Sequence, residues 1–510
     1  MPKDRYDVVV IGAGLGGLAA AIMLARAGRS VLVLEHHSVP GGYAHEFRRG
    51  KYRFDVALHA LDGGAPGGWT YQALQELGIL NRLELTRVDP FYTLRVSNGD
   101  EIRAPADLAQ YEDTLLREFP RQANALRDLF DSWSALYLQL RRAQLDLAAK
   151  RLTRDVPPSL YLEASKETLA DYVARYITDP KLGILVTLLW PYFGLPPSRM
   201  NAGAFAAAWG SYHLHGAWYP RGGAAALGRA MAEAFQEAGG EVSYRKTVSR
   251  IVISGRRAVA VETDCGLRIG ASAVVSNASP PDTYGRLIDL RALAPELLAT
   301  LDRDEPSLSS VVVYLGLDKT PEQLGWKWHH ELFLGRWCTQ DELFLDISRG
   351  DWSGVPLSIT NYSTVDSAAP PGCTAMTLFT LAPISHRNHW GTHGDFARYQ
   401  TYPEYEAAKE EAGQALLDRA EAVMPGLRSA LVHYEVGTPM TNVRYTRNHR
   451  GAIYGYSPIP RVGPLRWASF KRPITNVVLA GAWCALAGGM SSSMLSGIGA
   501  AAVLNKQMGT

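Results

Sequence analysis

At 510 residues the chain is long enough for two or more domains with sizeable cores. Hydrophobic residues make up 47% and charged residues 20%, and the formal charge of +2 comes with no Lys/Arg run that would suit a nucleic acid. Cys265, Cys338, Cys373 and Cys484 are far apart and form no CxxC pair, so they read as reduced thiols and supply no zinc site.

Residues 7–11, DVVVI, are a short apolar run suited to a central strand buried on both faces. Residues 18–27 are rich in Ala and Leu and stop before Gly28, which predicts a helix and its end. A second strand follows over 30–34, closed by Glu35; beyond the loop Pro40-Gly41-Gly42 lies an extended stretch at 52–56. Residues 108–151 predict helix, with Leu129, Phe130, Trp133, Leu136, Tyr137 and Leu140 at helical spacing, and 166–192 predict helix again. Residues 200–220 are uncharged and dense in aromatics, with Phe205, Trp209, Tyr212, Trp218 and Tyr219. A helix is expected over 222–238, then β runs at 248–253, 258–262 and 273–276. Strands and loops mix over 308–381, an amphipathic helix covers 405–423, a strand 476–482, and a final helix 494–504. Residues 8–25 resemble a signal-peptide core, but such a core has no need of four glycines. Residues 477–504 are long enough to span a bilayer, yet Gly481, Gly488, Gly489, Gly497 and Gly499 favour a buried strand, loop and helix.

Gly12-x-Gly14-x-x-Gly17 falls between a predicted strand and a predicted helix, the context a dinucleotide fingerprint requires. Gly12 permits the tight turn, Gly14 lets the backbone approach a pyrophosphate, and Gly17 lets helix and strand pack closely. The helix start presents free N–H groups to phosphate. Glu35 stands where a carboxylate accepts hydrogen bonds from ribose hydroxyls, which disfavours NADP; the plain alternative is an ordinary tight turn. FAD is preferred to NAD on three grounds. The chain has one such fingerprint, at the start of a long sequence. A second glycine loop, Gly41–Gly42, follows the acid, and Val478-Leu-Ala-Gly481 with Gly488-Gly489 precedes a helix whose start suits the flavin half.

With Phe54-Asp55-x-x-x-His59, Trp218-Tyr-Pro-Arg-Gly-Gly223, Val275-Ser-Asn-Ala278 and the stretch from Thr438-Pro to Arg450-Gly451, these segments span nearly the whole chain. The chain resembles the phytoene desaturase, carotenoid isomerase and retinol saturase-like flavoproteins. The resemblance implies an α/β fold: a Rossmann-type FAD-binding domain of the glutathione-reductase-like kind, with an interleaved α+β substrate domain. The expected boundaries are 1–90, 216–290 and 436–510 for the FAD-binding domain, 91–215 for a mainly helical cap, and 291–435 for the mixed substrate domain. The candidate cofactor-binding residues are Gly12, Gly14, Gly16, Gly17, Glu35, Gly41, Gly42, Arg49, Val248, Gly481, Gly489 and Met490. Val248 is expected at the adenine through its backbone, and the 488–490 loop against the flavin. Three positions depart from the family pattern. Tyr43 stands where many relatives place an arginine against the phosphates, with Arg48 or Arg49 as substitutes. Ala57 replaces the glycine of Phe-Asp-x-Gly-x-His, and Ala482 replaces an acid.

The implied reaction is desaturation, saturation or isomerisation of C=C bonds in a hydrophobic isoprenoid or polyene substrate, by hydride transfer with flavin N5. Such chemistry needs no strong base. The candidate catalytic residues are His59, His213 and Tyr454, with His215, Arg447 and His449 nearby in sequence; for each, the alternative is a core or structural role. A flavin amine oxidase or carotenoid ketolase-type oxygenase is the second reading. A non-enzymatic prenyl-lipid escort is the third, and the complete glycine cradle argues against it. The expected partner is a hydrophobic small molecule, with no nucleic acid and no metal; oligomeric state is not legible. The expected location is cytoplasmic. Peripheral membrane contact through residues 182–198, aided by Arg141, Arg142, Lys150, Arg151 and Arg154, stands against an ordinary buried helix beside a solvated basic face.

Overall fold

The computed structural model describes residues 2–148, 159–289, 301, 304–460, 473–484 and 488–509. The N-terminal apolar run forms strand β1 (Arg5–Ile11), with Val8, Val9 and Val10 fully buried because both sheet faces are covered. Gly12, at φ +92°, turns the chain into helix α1 (Leu15–Arg26), and β2 (Val31–Leu34) returns parallel to β1. Two remote segments add parallel strands to this sheet. Arg268–Ser276 pairs parallel with β1 on its other side, and Val477–Leu479 pairs parallel with Arg268–Ser276. Glu241–Ser243 extends the sheet beyond β2, and the antiparallel strands Arg257–Thr263 and Val248–Ser254 close the opposite edge.

The C-terminal helix Met490–Gln507 packs along α1 through a seam of small residues. A Cβ on Gly497 would lie 2.9 Å from Ala19 Cβ, so only glycine permits this approach. The helix begins four residues before the expected start at 494, because Gly489 at φ +137° caps it and the Ser493 N–H donates to the Gly489 carbonyl.

A second, seven-stranded sheet runs in the order Leu431–Gly437, Ser309–Leu317, Thr374–Ala382, Leu357–Asn361, His330–Leu334, Tyr92–Val96, Glu101–Ala104. The 91–215 segment opens with two strands of this sheet and is helical for most of the rest. Helix Pro403–Val423 covers one face of this sheet, and the other face looks toward the first domain.

The helical segment supplies Leu108–Glu118, Ala123–Ala148 and Ala202–His215. The expected single helix over 166–192 is broken in two. Thr168 caps Leu169–Ala174, and Asp179 caps Pro180–Val186 by accepting from the Lys181 and Leu182 N–H groups, with Pro180 in the first turn.

The buried-helix alternative for 182–198 fits the structure. Leu182, Leu185, Leu188, Leu189, Trp190 and Phe193 are buried in the core. Arg141 is buried as well, its guanidinium donating to the Gly67 carbonyl, Gln72 and Gln144. Lys150, Arg151 and Arg154 lie outside the described residues. No helix among the described residues is long and apolar enough to cross a membrane.

Candidate active site

The parallel strands end together. Ile11 is in register with Leu34 and Ser276, and Ser276 with Leu479, so Gly12, Glu35, Asn277 and Ala480 emerge along one edge of the sheet. That edge is where open α/β sheets bind ligands. Gly12, Gly14, Gly16, Glu35, Gly41, Gly42, Val248, Gly481, Gly489 and Met490, all expected from sequence, line one cavity of about 350 Å³. Gly17 lies beneath them, where a Cβ would strike the Gly12 carbonyl.

Glycine is required here for space. A Cβ on Gly16 would stand 2.5 Å from Gly481 Cα, and one on Gly14 would stand 2.6 Å from Asn277 Nδ2. The Gly41 N–H donates to the Ala13 carbonyl at 2.8 Å, which seats the second glycine loop on the first. Asn277, within the Val275–Ala278 segment but not among the residues expected to bind the cofactor, is thus the centre of the cradle. Glu35 is 6% exposed, and its two oxygens accept from the backbone N–H groups of Ala13 (2.6 Å) and His37 (2.7 Å). Its carboxylate therefore holds the glycine turn and lines the cavity.

At the other end, Met490, Ser491, Ser492 and Ser493 bring the start of the C-terminal helix to the cavity, where its unpaired N–H groups carry partial positive charge. Asp62, also missed from sequence, accepts at 2.6 Å from Ser491 and at 2.6 Å from Ser211, tying this helix start to Ala202–His215. Burial raises the pKa of Asp62. No local pattern marks Asp62; its partners come from residues 211 and 491.

Among the expected residues, Arg49 and His213 do not reach the cavity. Arg49 forms a paired hydrogen bond with Glu435 (2.7 and 2.9 Å) on the outside of the second sheet, because the strand Glu46–Arg49 runs away from the glycine loop. Arg447, in the left-handed region at φ +53°, lines the cavity instead. His213 sits one residue beyond Tyr212 on its helix, about 100° around the axis. It faces inward, stacked on Tyr111 (4.7 Å, 11°) and against Trp209 (4.8 Å), and is a core residue. His215 and His449 do not line the cavity either. Ala57 does line it without a left-handed backbone, so alanine replaces the family glycine there without strain. Tyr43 and Ala482 line it too.

The remaining wall is apolar. Phe205, Ala208, Trp209 and Tyr212 form one helical stripe at i, i+3, i+4 and i+7. Opposite stands a row across the second sheet, Val312, Phe379, Ser358 and Leu332, in register and all on the cavity face. His59 and Tyr454 also line this cavity. Burial lowers the His59 pKa to about 3 and pushes the Tyr454 phenol upward, so both are neutral near pH 7.

The sequence pattern of the family described as flavin containing amine oxidoreductase matches residues 15–505. The chain belongs to this family. It is accordingly an FAD-dependent enzyme, and the glycine cradle with no room for side chains, the buried acid and the helix start all fit that cofactor. Phytoene dehydrogenase of Streptomyces griseus is 32% identical, with 97% of this chain and 94% of that protein covered. All-trans-retinol 13,14-reductase of Danio rerio is 25% identical, covering 100% of this chain and 87% of that protein. In fold, the family member resembles cyclohexylamine oxidase from Brevibacterium oxydans, with a TM-score of 0.64 at 19% identity, covering 99% of this chain and 100% of that one.

Proposed function

We propose that this flavoenzyme desaturates, saturates or isomerises C=C bonds of a hydrophobic substrate of the isoprenoid or polyene type. The observation that carries the substrate class is the wall opposite the cradle. Among the described residues, the Phe205–Tyr212 stripe and the facing sheet row contribute aromatic, aliphatic and hydroxyl side chains, and no Lys, Arg, Asp or Glu. Two relatives whose names specify phytoene and retinol support the same class.

In this reading Gly12, Gly14, Gly41 and Gly42 hold the pyrophosphate with the start of α1, Glu35 the ribose, and Val248 the adenine. Gly481, Gly489 and Met490 hold the flavin half. FAD supplies hydride exchange at flavin N5. The protein excludes water with the apolar wall and orients the reacting carbons. Neutral His59 and Tyr454 offer no strong base, in keeping with an unactivated carbon centre.

The protein is expected to purify yellow. Without oxygen, an isoprenoid polyene is expected to reduce the oxidised flavin or re-oxidise the reduced one. A colourless preparation, or flavin bleached by primary amines and by no polyene, would overturn the reading.

Arg447 takes the place of the missing phosphate-side arginine in the same reading. Arg447→Met is expected to raise the FAD dissociation constant about tenfold, the loss of one charge-assisted contact. Arg49→Met removes a half-exposed pair with Glu435 and is expected to change it by less than about twofold. Equilibrium dialysis of the flavin against both variants checks the assignment.

A further inference from the structure

Several polar side chains meet within the otherwise apolar part of the cavity. His59 and Tyr192 line it side by side, their rings 4.7 Å apart. His59 Nε2 and Tyr192 Oη are buried, and neither has a hydrogen-bond partner. Tyr212 and Tyr454 line the same region; burial raises the pKa of Tyr192 and Tyr212, with a smaller push from Tyr454 on both and from the Asp62 carboxylate on Tyr212. His330 stacks on His59 (4.6 Å, 29°), and its Nε2 lies 2.9 Å from the Oγ of Ser358, itself a cavity residue. Thr360 and Thr377 continue the polar strip in the next row of the sheet.

An unpaired polar atom in an apolar interior is costly, and one that lines a cavity can be paired by a ligand oxygen. These groups carry no charge. Burial holds His59 and His330 neutral and keeps the three phenols protonated. The cluster therefore offers hydroxyl donors from tyrosine beside a neutral imidazole, and no cation.

We propose that His59, Tyr192 and Tyr454 form a polar subsite that takes a neutral oxygen, a hydroxyl or carbonyl, at one end of an otherwise apolar substrate. The inference rests on the hydrophobic-substrate reading above and narrows it: the preferred substrate is an isoprenoid or polyene with an oxygenated terminus. A carboxylate is disfavoured, since desolvating its charge there meets no cation.

The test is a titration of the flavin-loaded protein, followed by the absorbance shift of oxidised flavin. The ligands are geranylgeraniol, the same chain with its CH2OH replaced by CH3, and the corresponding carboxylic acid. The alcohol is expected to bind about tenfold or more tightly than the hydrocarbon and than the acid. Tyr192→Phe keeps the ring and removes an unpaired buried hydroxyl, so the fold is retained. Tyr192→Phe and His59→Phe are each expected to cut the alcohol-over-hydrocarbon preference about fivefold. Equal affinity for alcohol and hydrocarbon, a preference unchanged in both variants, or tightest binding of the acid would overturn the subsite and leave the hydrophobic-substrate reading standing. A flavin unmoved by all three ligands would overturn both.

Discussion

Gly14→Val is expected to purify folded and colourless. Gly14 has an extended backbone at φ −67°, so conformation alone would admit valine. Space does not. Its Cβ would lie 2.6 Å from Asn277 Nδ2, and Gly42 crosses so closely that a Cβ there would stand 3.2 Å from Gly14 Cα. Valine's two further methyl groups would occupy the gap between the two glycine loops, where the pyrophosphate must approach the backbone. The ratio of flavin to protein absorbance measures the effect, with far-UV circular dichroism reporting the fold. Gly499→Ala is the matched control. Gly499 is exposed in the C-terminal helix with open space around its Cβ position, and alanine there is expected to keep the flavin and add about 0.5–1 kcal/mol of stability. A fully yellow Gly14→Val would mean that the cofactor lies elsewhere.

Glu35→Ala is expected to weaken FAD by roughly 1.5–3 kcal/mol, about ten- to a hundredfold in dissociation constant. Two effects add. In the proposed assignment the ribose loses its acceptor, and the N–H groups of Ala13 and His37 lose the oxygens that hold them at 2.6 and 2.7 Å. The second effect loosens the turn that carries Gly12 and Gly14, so the thermal midpoint of the flavin-free protein is also expected to fall. Glu35→Gln keeps one acceptor but turns a donor toward the second N–H, and is expected to fall between wild type and Glu35→Ala. Quenching of flavin fluorescence gives the dissociation constants. A constant unchanged in Glu35→Ala would assign the ribose to other groups.

The cofactor half of the site was legible because its signals are local. Valines 8–10 read as a buried strand, Gly12, Gly14 and Gly17 as a turn into a helix, and Glu35 as the end of the next strand. Asn277 had a signal of the same kind, a small polar residue directly after the apolar run 273–276, as Gly12 follows 8–11. Asp62 had none. The choice of Arg49 over Arg447 shows the limit of proximity in sequence: Arg49 is seven residues from Gly42 but is drawn to Glu435 by strand pairing. The aromatic stretch was visible as a block, but which of its residues face the cavity depends on helix phase. Tyr212 points in and His213 points away.

By itself the amino-acid sequence determined the strand–glycine turn–helix, the acid that follows it and the dinucleotide chemistry they serve, since each depends on backbone conformation and spacing within one short segment. Tertiary structure alone decided what completes that site. The parallel register of β1, β2, Arg268–Ser276 and Val477–Leu479 brings Gly12, Glu35, Asn277 and Gly481 to one edge, although they lie up to 469 positions apart. It also brought the Phe205–Tyr212 stripe and the second-sheet row to one cavity, and His59 beside Tyr192. Hydrogen bonding between strands and the burial of two apolar faces against each other act across the chain, and no local pattern encodes which partners they join.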